Sequence, residues 1–91
     1  MEADLWYVLA GTRGGTNRVR VVELLDEEPR NANRIADALD LDYKTIRHHL
    51  DVLTEHGIVE RTDDDYGATY RLTDEAIDHR DTIDAVVETV G

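Results

Sequence analysis

Residues 31–59 read NANRIADALDLDYKTIRHHLDVLTEHGIV, and the way this stretch buries its apolar side chains decides the fold. Asn31 is a good helix cap. Behind it Ala32, Ile35, Ala36 and Leu39 recur at i, i+3, i+4 and i+7, the spacing of one buried stripe along a helix. Asp40-Leu41-Asp42 makes a tight connection. Asp42 then caps a second helix whose stripe is Ile46, His49, Leu50 and Leu53. Gly57 stops it, because the left-handed position after a helix prefers glycine. Two short helices joined by such a turn, with small Ala36 where they must approach closely, make a helix-turn-helix.

The flanks complete the pattern. Leu5, Val8 and Leu9 share one helical face with Trp6 beside it, which predicts a first helix over Ala3–Ala10. Gly11-Thr12-Arg13-Gly14-Gly15 breaks it. Thr16 is expected to cap a second helix carrying Val19, Val21, Val22, Leu24 and Leu25, which ends before Pro29. Downstream, Ile58-Val59-Glu60-Arg61 and Thr69-Tyr70-Arg71-Leu72 predict two strands around the turn signal Asp65-Tyr66-Gly67. Thr73 caps one last helix with Asp74 and Glu75 in its first turn, where carboxylates suit the dipole. Its stripe is Ile83, Val86, Val87 and Val90. The expected fold class is mainly α with a β-hairpin wing, a winged helix-turn-helix with additional terminal helices. One domain spans 1–91, with an N-terminal helix and turn (1–15), the winged core (16–73) and a C-terminal helix (74–91).

Composition narrows the function. A chain of 91 residues buries only about 60–65% of the surface its unfolded form exposes, so the core is thin and a partner subunit would help it. Cysteine is absent, which excludes disulfides, zinc–thiolate clusters and thiol catalysis. The apolar run 5–10 is far short of the roughly 20 residues of a membrane span. A signal peptide's basic start and cleavage site are also missing. The expectation is a cytoplasmic protein with no membrane partner. The formal charge is −11, from thirteen Asp and eight Glu against nine Arg and one Lys. Acid this dense with almost no lysine resembles the surfaces of proteins from salt-loving microbes. A disordered acidic chain does not fit, because 41% of residues are hydrophobic and they fall at clear periods. The charge is uneven: −2 over residues 1–30, −2 over 31–56 and −7 over 57–91. Gly11–Val22 holds three arginines and no acid.

Burying Ile46, Leu50 and Leu53 turns Tyr43, Lys44, Arg47, His48 and Asp51 outward. A recognition helix of this kind enters the major groove with its N-terminal residues against base edges. Arg47 can pair bidentately with guanine, worth roughly 1–3 kcal/mol of discrimination. Tyr43 and Lys44 suit phosphate or base, and Thr45 suits phosphate. Asn33 and Arg34 on the preceding helix are candidates for backbone contacts, with Arg13, Arg18 and Arg20 flanking. On the wing, Arg61 and Arg71 can reach phosphates or the minor groove. The Asp63-Asp64-Asp65 tip repels phosphate and reads as a solubilising loop. An ordinary solvated helix also carries mixed charges; the surrounding helix-turn-helix and wing favour double-stranded DNA as the partner. His49 belongs to the core-facing stripe, His48 lies nearer the outward face, and His56 suits the helix C-terminus.

Residues 16–73 resemble ArsR-type winged helix regulators of transcription. Thr45-Ile46-Arg47-His48-His49-Leu50-Asp51-Val52-Leu53 matches their recognition-helix pattern, a Thr-Val-Ser-His-His-Leu run followed by a hydrophobic end and a glycine, here Gly57. The stretch from Leu9 to Leu53 is similar in particular to compact members common in halophilic archaea. The resemblance implies a two-fold homodimer built through the terminal helices, here by Leu5, Trp6, Leu9, Ile83, Val86, Val87 and Val90. Such a dimer sets two recognition helices about 34 Å apart on a palindromic operator, with repression as the family's usual outcome. The same helices can instead simply close the monomer core. Family metal sensors carry a Cys-x-Cys pair or clustered His and Asp. This chain has no Cys, and Asp78, His79 and Asp81 have no second His nearby, so no metal, no cofactor and no known effector is assigned.

Two other function classes stand against DNA binding. An enzyme is disfavoured: no glycine-rich phosphate loop, Ser–His–Asp order or metal motif is present, and His48 and His49 diverge by ~100° on a helix. A winged helix used as a protein–protein interaction module is the stronger alternative, because net negative charge opposes docking on DNA.

Overall fold

The computed structural model describes residues 1–64 and 67–90. Its elements run α1 (Glu2–Ala10), α2 (Gly15–Glu27), α3 (Ala32–Leu39), α4 (Tyr43–Glu55), β1 (Val59–Asp64), β2 (Gly67–Leu72), α5 (Asp74–Asp78) and α6 (Arg80–Val90). This is the winged helix-turn-helix that the helix-turn-helix stretch and its flanks predict.

Local capping sets most of the boundaries. The Asn31 side chain accepts from the Arg34 N–H at 2.8 Å and opens α3. Asp42 accepts from the N–H groups of Lys44 and Thr45 and opens α4. At the far end of α4, Gly57 adopts φ +72. Its N–H donates to the Thr54 carbonyl, and the Ile58 N–H donates to the Leu53 carbonyl. These paired bonds satisfy orphan carbonyls and turn the chain into the wing. Thr73 caps α5 through the Ala76 N–H and also donates its hydroxyl to the Gly57 carbonyl. One side chain therefore ties the end of α4 to the start of α5.

Two expectations need correction. Thr16 does not cap α2: the helix already begins at Gly15, and Gly14, at φ +89, occupies the cap. Gly15 lies so close to the Leu9 carbonyl that a Cβ there would collide with backbone, so α1 and α2 meet through glycine and the helix starts at that contact. The last helix is also not continuous. His79 (φ −101, ψ 27) interrupts it, and its ring Nδ1 lies 2.9 Å from the Glu75 carbonyl oxygen. The break lets α5 bury Ala76 beneath the root of the wing while α6 runs along α1.

The wing pairs β1 with β2 antiparallel, Val59 opposite Leu72 and Arg61 opposite Tyr70. Both strands extend beyond the expected segments; the expected turn at Asp65-Tyr66, with the last carboxylate of the acidic tip, lies outside the described residues. Arg30, between α2 and α3, forms a two-way bridge with Tyr70: its N–H donates to the Tyr70 carbonyl at 3.1 Å and its carbonyl accepts the Tyr70 N–H at 2.9 Å. The wing is thereby fastened to the helical body.

The core is formed by Val21, Val22, Ile35, Ile46, Leu50, Leu53 and Ile58 with residues of the terminal helices. Leu5, Leu9 and Val86 are fully enclosed and Ile83 is 7% exposed. These four side chains, expected at a subunit interface, instead close the core of a single chain, because α6 lies directly on α1. Trp6, Val87 and Val90 remain half-buried, and Tyr7, 59% exposed, has its ring centre 6.1 Å from that of His56. No described helix is long and apolar enough to cross a membrane.

Candidate nucleic-acid interface

The buried ridge Ile46, His49, Leu50 and Leu53 fixes the roll of α4. Tyr43, 44% exposed, Lys44 and His48 are thereby turned to solvent, while Thr45 and Arg47 are half-buried. Asn33 and Arg34 are exposed at the start of α3, and Arg34 pairs with Glu28 at 3.3 Å. Tyr43 and Lys44 occupy the first turn of α4, the part of a recognition helix that meets a duplex first.

Arg47 does not project freely. Its Nη1 donates to the Tyr43 hydroxyl at 3.2 Å, and the guanidinium carbon lies 5.9 Å from the centre of that ring. Its Nε is enclosed and has no hydrogen-bond partner among the described residues. The bond to Tyr43 holds the Arg47 pKa above its ordinary value, with smaller contributions from Tyr70 and Asp51. The side chain lies in a cleft of about 310 Å³ between the start of α3, α4 and the wing. Asn31, Asn33, Tyr43, Arg61 and Tyr70 line the same space. Arg61 reaches it from β1, with its Nε 3.2 Å from Asp63.

The two wing arginines part company. Arg61 stands opposite Tyr70, on the face towards α4, whereas Arg71 stands opposite Glu60 on the other face. Arg71 is held by Glu60 at 3.3 Å and Asp74 at 3.2 Å, beside a second cavity lined by Leu25, Ile77 and Arg80. It does not join the surface formed by α4, contrary to expectation. Arg18 departs from expectation more sharply. It is 3% exposed, donating to the carbonyls of Val8 (3.0 Å) and Arg13 (2.9 Å) and to the Thr12 hydroxyl, with Nη1 3.2 Å from His49 Nδ1. Burial lowers its pKa. Arg20 donates to the Leu39 carbonyl at 3.1 Å and so bolts α2 to the end of α3. Arg13 is exposed. Of the three flanking arginines, one is internal and one is engaged in packing.

His49 packs inside as expected, its pKa lowered first by burial and then by Arg18 and His48. His48 is exposed, and the His56 Nδ1 lies 3.0 Å from an Asp4 oxygen, joining α4 to α1. Among the described residues no three His, Asp or Glu side chains gather as a metal cluster. Asn31 and Tyr70 escaped the reading of the sequence as parts of this surface. Strand alternation carries the signal for Tyr70, which shares a face with the Arg61 opposite it.

A family model described as a helix-turn-helix domain matches residues 17–62. The chain belongs to that helix-turn-helix family. The matched segment runs from the start of α2 into the wing and holds α3, α4 and Arg61. No curated protein sequence matches the chain. Solved structures do. One is the homodimeric winged helix-turn-helix DNA-binding domain of a possible ArsR-family transcriptional regulator from Mycobacterium bovis, 22% identical, with a TM-score of 0.78 over 94% of this chain and 77% of that one. The transcriptional regulator BldR from Sulfolobus solfataricus is 16% identical, with a TM-score of 0.74 over 97% of this chain and 66% of its own. ZitR from Lactococcus lactis is 18% identical, with a TM-score of 0.66 over 81% of this chain. The helix-turn-helix chain described here spans 56% of ZitR's length. The fold is that of winged helix DNA-binding transcriptional regulators.

Proposed function

We propose that the chain acts as one domain that binds double-stranded DNA sequence-specifically, as a transcriptional regulator of the ArsR type. The observation that carries this reading is the roll of α4: its aliphatic ridge is buried and its Asp42-capped first turn presents Tyr43 and Lys44 outward, with His48 one turn on. Lys44 meets phosphate and Tyr43 a base or phosphate, with Thr45, Asn33 and Arg34 on the flanking backbone and Arg61 on the wing side. The protein works in the cytoplasm as a homodimer on a palindromic operator and represses by occupying it. Dimerisation of the Mycobacterium bovis domain supports this, as do the half-covered apolar side chains of Trp6 on α1 and Val87 and Val90 on α6. The acidic remainder does not forbid docking at high ionic strength, because the Debye length is ~3 Å at 1 M salt.

Footprinting on the neighbouring promoter in molar KCl tests the reading. Protection of a two-fold site, weakened by Lys44→Ala and Arg47→Ala, is the expected result. Unchanged occupancy and sequence preference in both variants would move the assignment to a protein–protein interaction module.

A further inference from the structure

We propose that Arg18 and His49 form a proton-sensitive latch on α4: the neutral ring locks that helix to the α1–α2 junction, and a proton on the ring releases it. The Arg18 guanidinium joins three pieces of chain. Its Nε donates to the Val8 carbonyl in α1, its Nη2 to the Arg13 carbonyl and the Thr12 hydroxyl in the turn, and its Nη1 lies 3.2 Å from His49 Nδ1. No other described residue with a charged side chain, and no other histidine, is buried. The chain carries 21 Asp and Glu, yet no described carboxylate neutralises this cation; its partners are carbonyls, a hydroxyl and an imidazole.

Such an enclosure has no place for a second cation. A neutral ring with its lone pair on Nδ1 accepts from Arg18, whereas a protonated ring offers only N–H groups. Two positive charges would then face each other without a counter-ion, which an interior opposes. Turning the ring in place leaves both charges in the same enclosure. There is little slack for it, since a Cβ on Gly14 would stand 3.0 Å from the ring Cε1. Moving α4 away from the junction relieves the repulsion. Tyr43 and Lys44 sit on that same helix, less than two turns before His49. The charged or titratable groups facing the ring are Arg18 from α2 and His48 from α4, whose ring centre is 5.7 Å away. Among the described residues α1, α3 and β1 contribute none. The consequence is a surface set at neutral pH and released by acid. Its effect on DNA rests on the proposed function; the movement of α4 does not.

Two measurements decide. In DNA-free protein the His49 ring and the amides of Tyr43 and Lys44 are followed by NMR from pH 7.5 to pH 5. The amides should move with the midpoint of the ring while circular dichroism stays native, and should stay still in His49→Gln. The wild-type titration is decisive even if that variant does not fold. Exposed His48 gains charge in acid and so favours phosphate contact, the opposite sign. Duplex affinity is therefore compared, at fixed ionic strength, in His48→Gln and in His48→Gln/His49→Gln. The first should lose up to roughly tenfold per pH unit, the limit for one proton taken up on release, and the second should not. The latch is overturned if His49 takes its proton without moving those amides or only as the whole fold melts. It is equally overturned if both variants show the same pH dependence of binding. A protein that binds no duplex refutes the DNA reading, and the NMR titration then decides the latch alone.

Discussion

Arg18 and His49 meet in the interior with Nη1 and Nδ1 3.2 Å apart, a permanent cation against an imidazole. Only a neutral ring with its lone pair on Nδ1 can accept from that guanidinium. Burial, then Arg18 and His48, hold the His49 pKa below its ordinary value. The unfolded chain, with His49 near about 6.5, therefore binds more protons than the folded one as the medium acidifies. Stability contributed by this site is complete above that pH and is lost as pH falls through and below it. Thermal melts from pH 7.5 to pH 5 should show a decline that His49→Gln, which can still accept from Arg18, partly removes. Identical pH profiles for the two proteins would refute the account.

Arg18 itself is expected to be a stability residue. Arg18→Met removes the side-chain donor to the Arg13 carbonyl and one of two side-chain donors to the Val8 carbonyl, which keeps the Thr12 hydroxyl. The expected loss is about 2–4 kcal/mol in urea denaturation, because hydrogen bonds from charged donors contribute roughly 1.5–3 kcal/mol each and do not add fully.

Asp42→Ala removes the acceptor for the Lys44 and Thr45 N–H groups. A lost cap costs about 1 kcal/mol, and Asp42→Asn should restore most of it. Because this cap fixes the turn that carries Tyr43 and Lys44, DNA affinity should fall in Asp42→Ala by more than the folding equilibrium alone explains.

Lys44→Ala should weaken binding to all duplexes similarly. If Lys44 contacts a phosphate, the dependence of log affinity on log salt should become shallower by about 1. A variant that keeps the wild-type slope but relaxes preference at one base pair would place Lys44 on a base instead.

Two adjacent valines divide the roles of α6. Val86 is fully enclosed and Val87 half-buried. Val86→Ala should destabilise the fold by about 1–3 kcal/mol through a cavity, whereas Val87→Glu should chiefly shift the monomer–dimer balance in sedimentation experiments. A monomeric wild type at all concentrations would refute the dimer.

Legibility followed the range of the interactions. Asn31, Asp42, Gly57 and Thr73 were readable because a cap is decided within a few residues of itself. The ridge of α4, and with it the outward Tyr43 and Lys44, followed from periodicity alone. Arg18 was not readable. Flanked by Arg13 and Arg20 in an acid-free segment, it resembles a solvated basic patch, and its burial depends on α1 folding over α2 and on His49 arriving from another helix. Strand alternation assigns Arg61 and Arg71 to opposite faces, but which face meets α4 depends on Tyr70 docking to Arg30. The terminal helices posed a similar ambiguity: Leu5, Leu9, Ile83 and Val86 make an apolar seam that suits either a partner chain or each other, and only the course of α6 along α1 separates the two.

The two-way bond between Arg30 and Tyr70 bears on how the surface meets a curved partner. Tyr70 is also a wall of the cleft, so the bridge anchors β2 to the helical body at the cleft's edge. At its root the hairpin is a fence rather than an arm, and a duplex seated here would have to accommodate that fixed edge by bending or by changing its groove width.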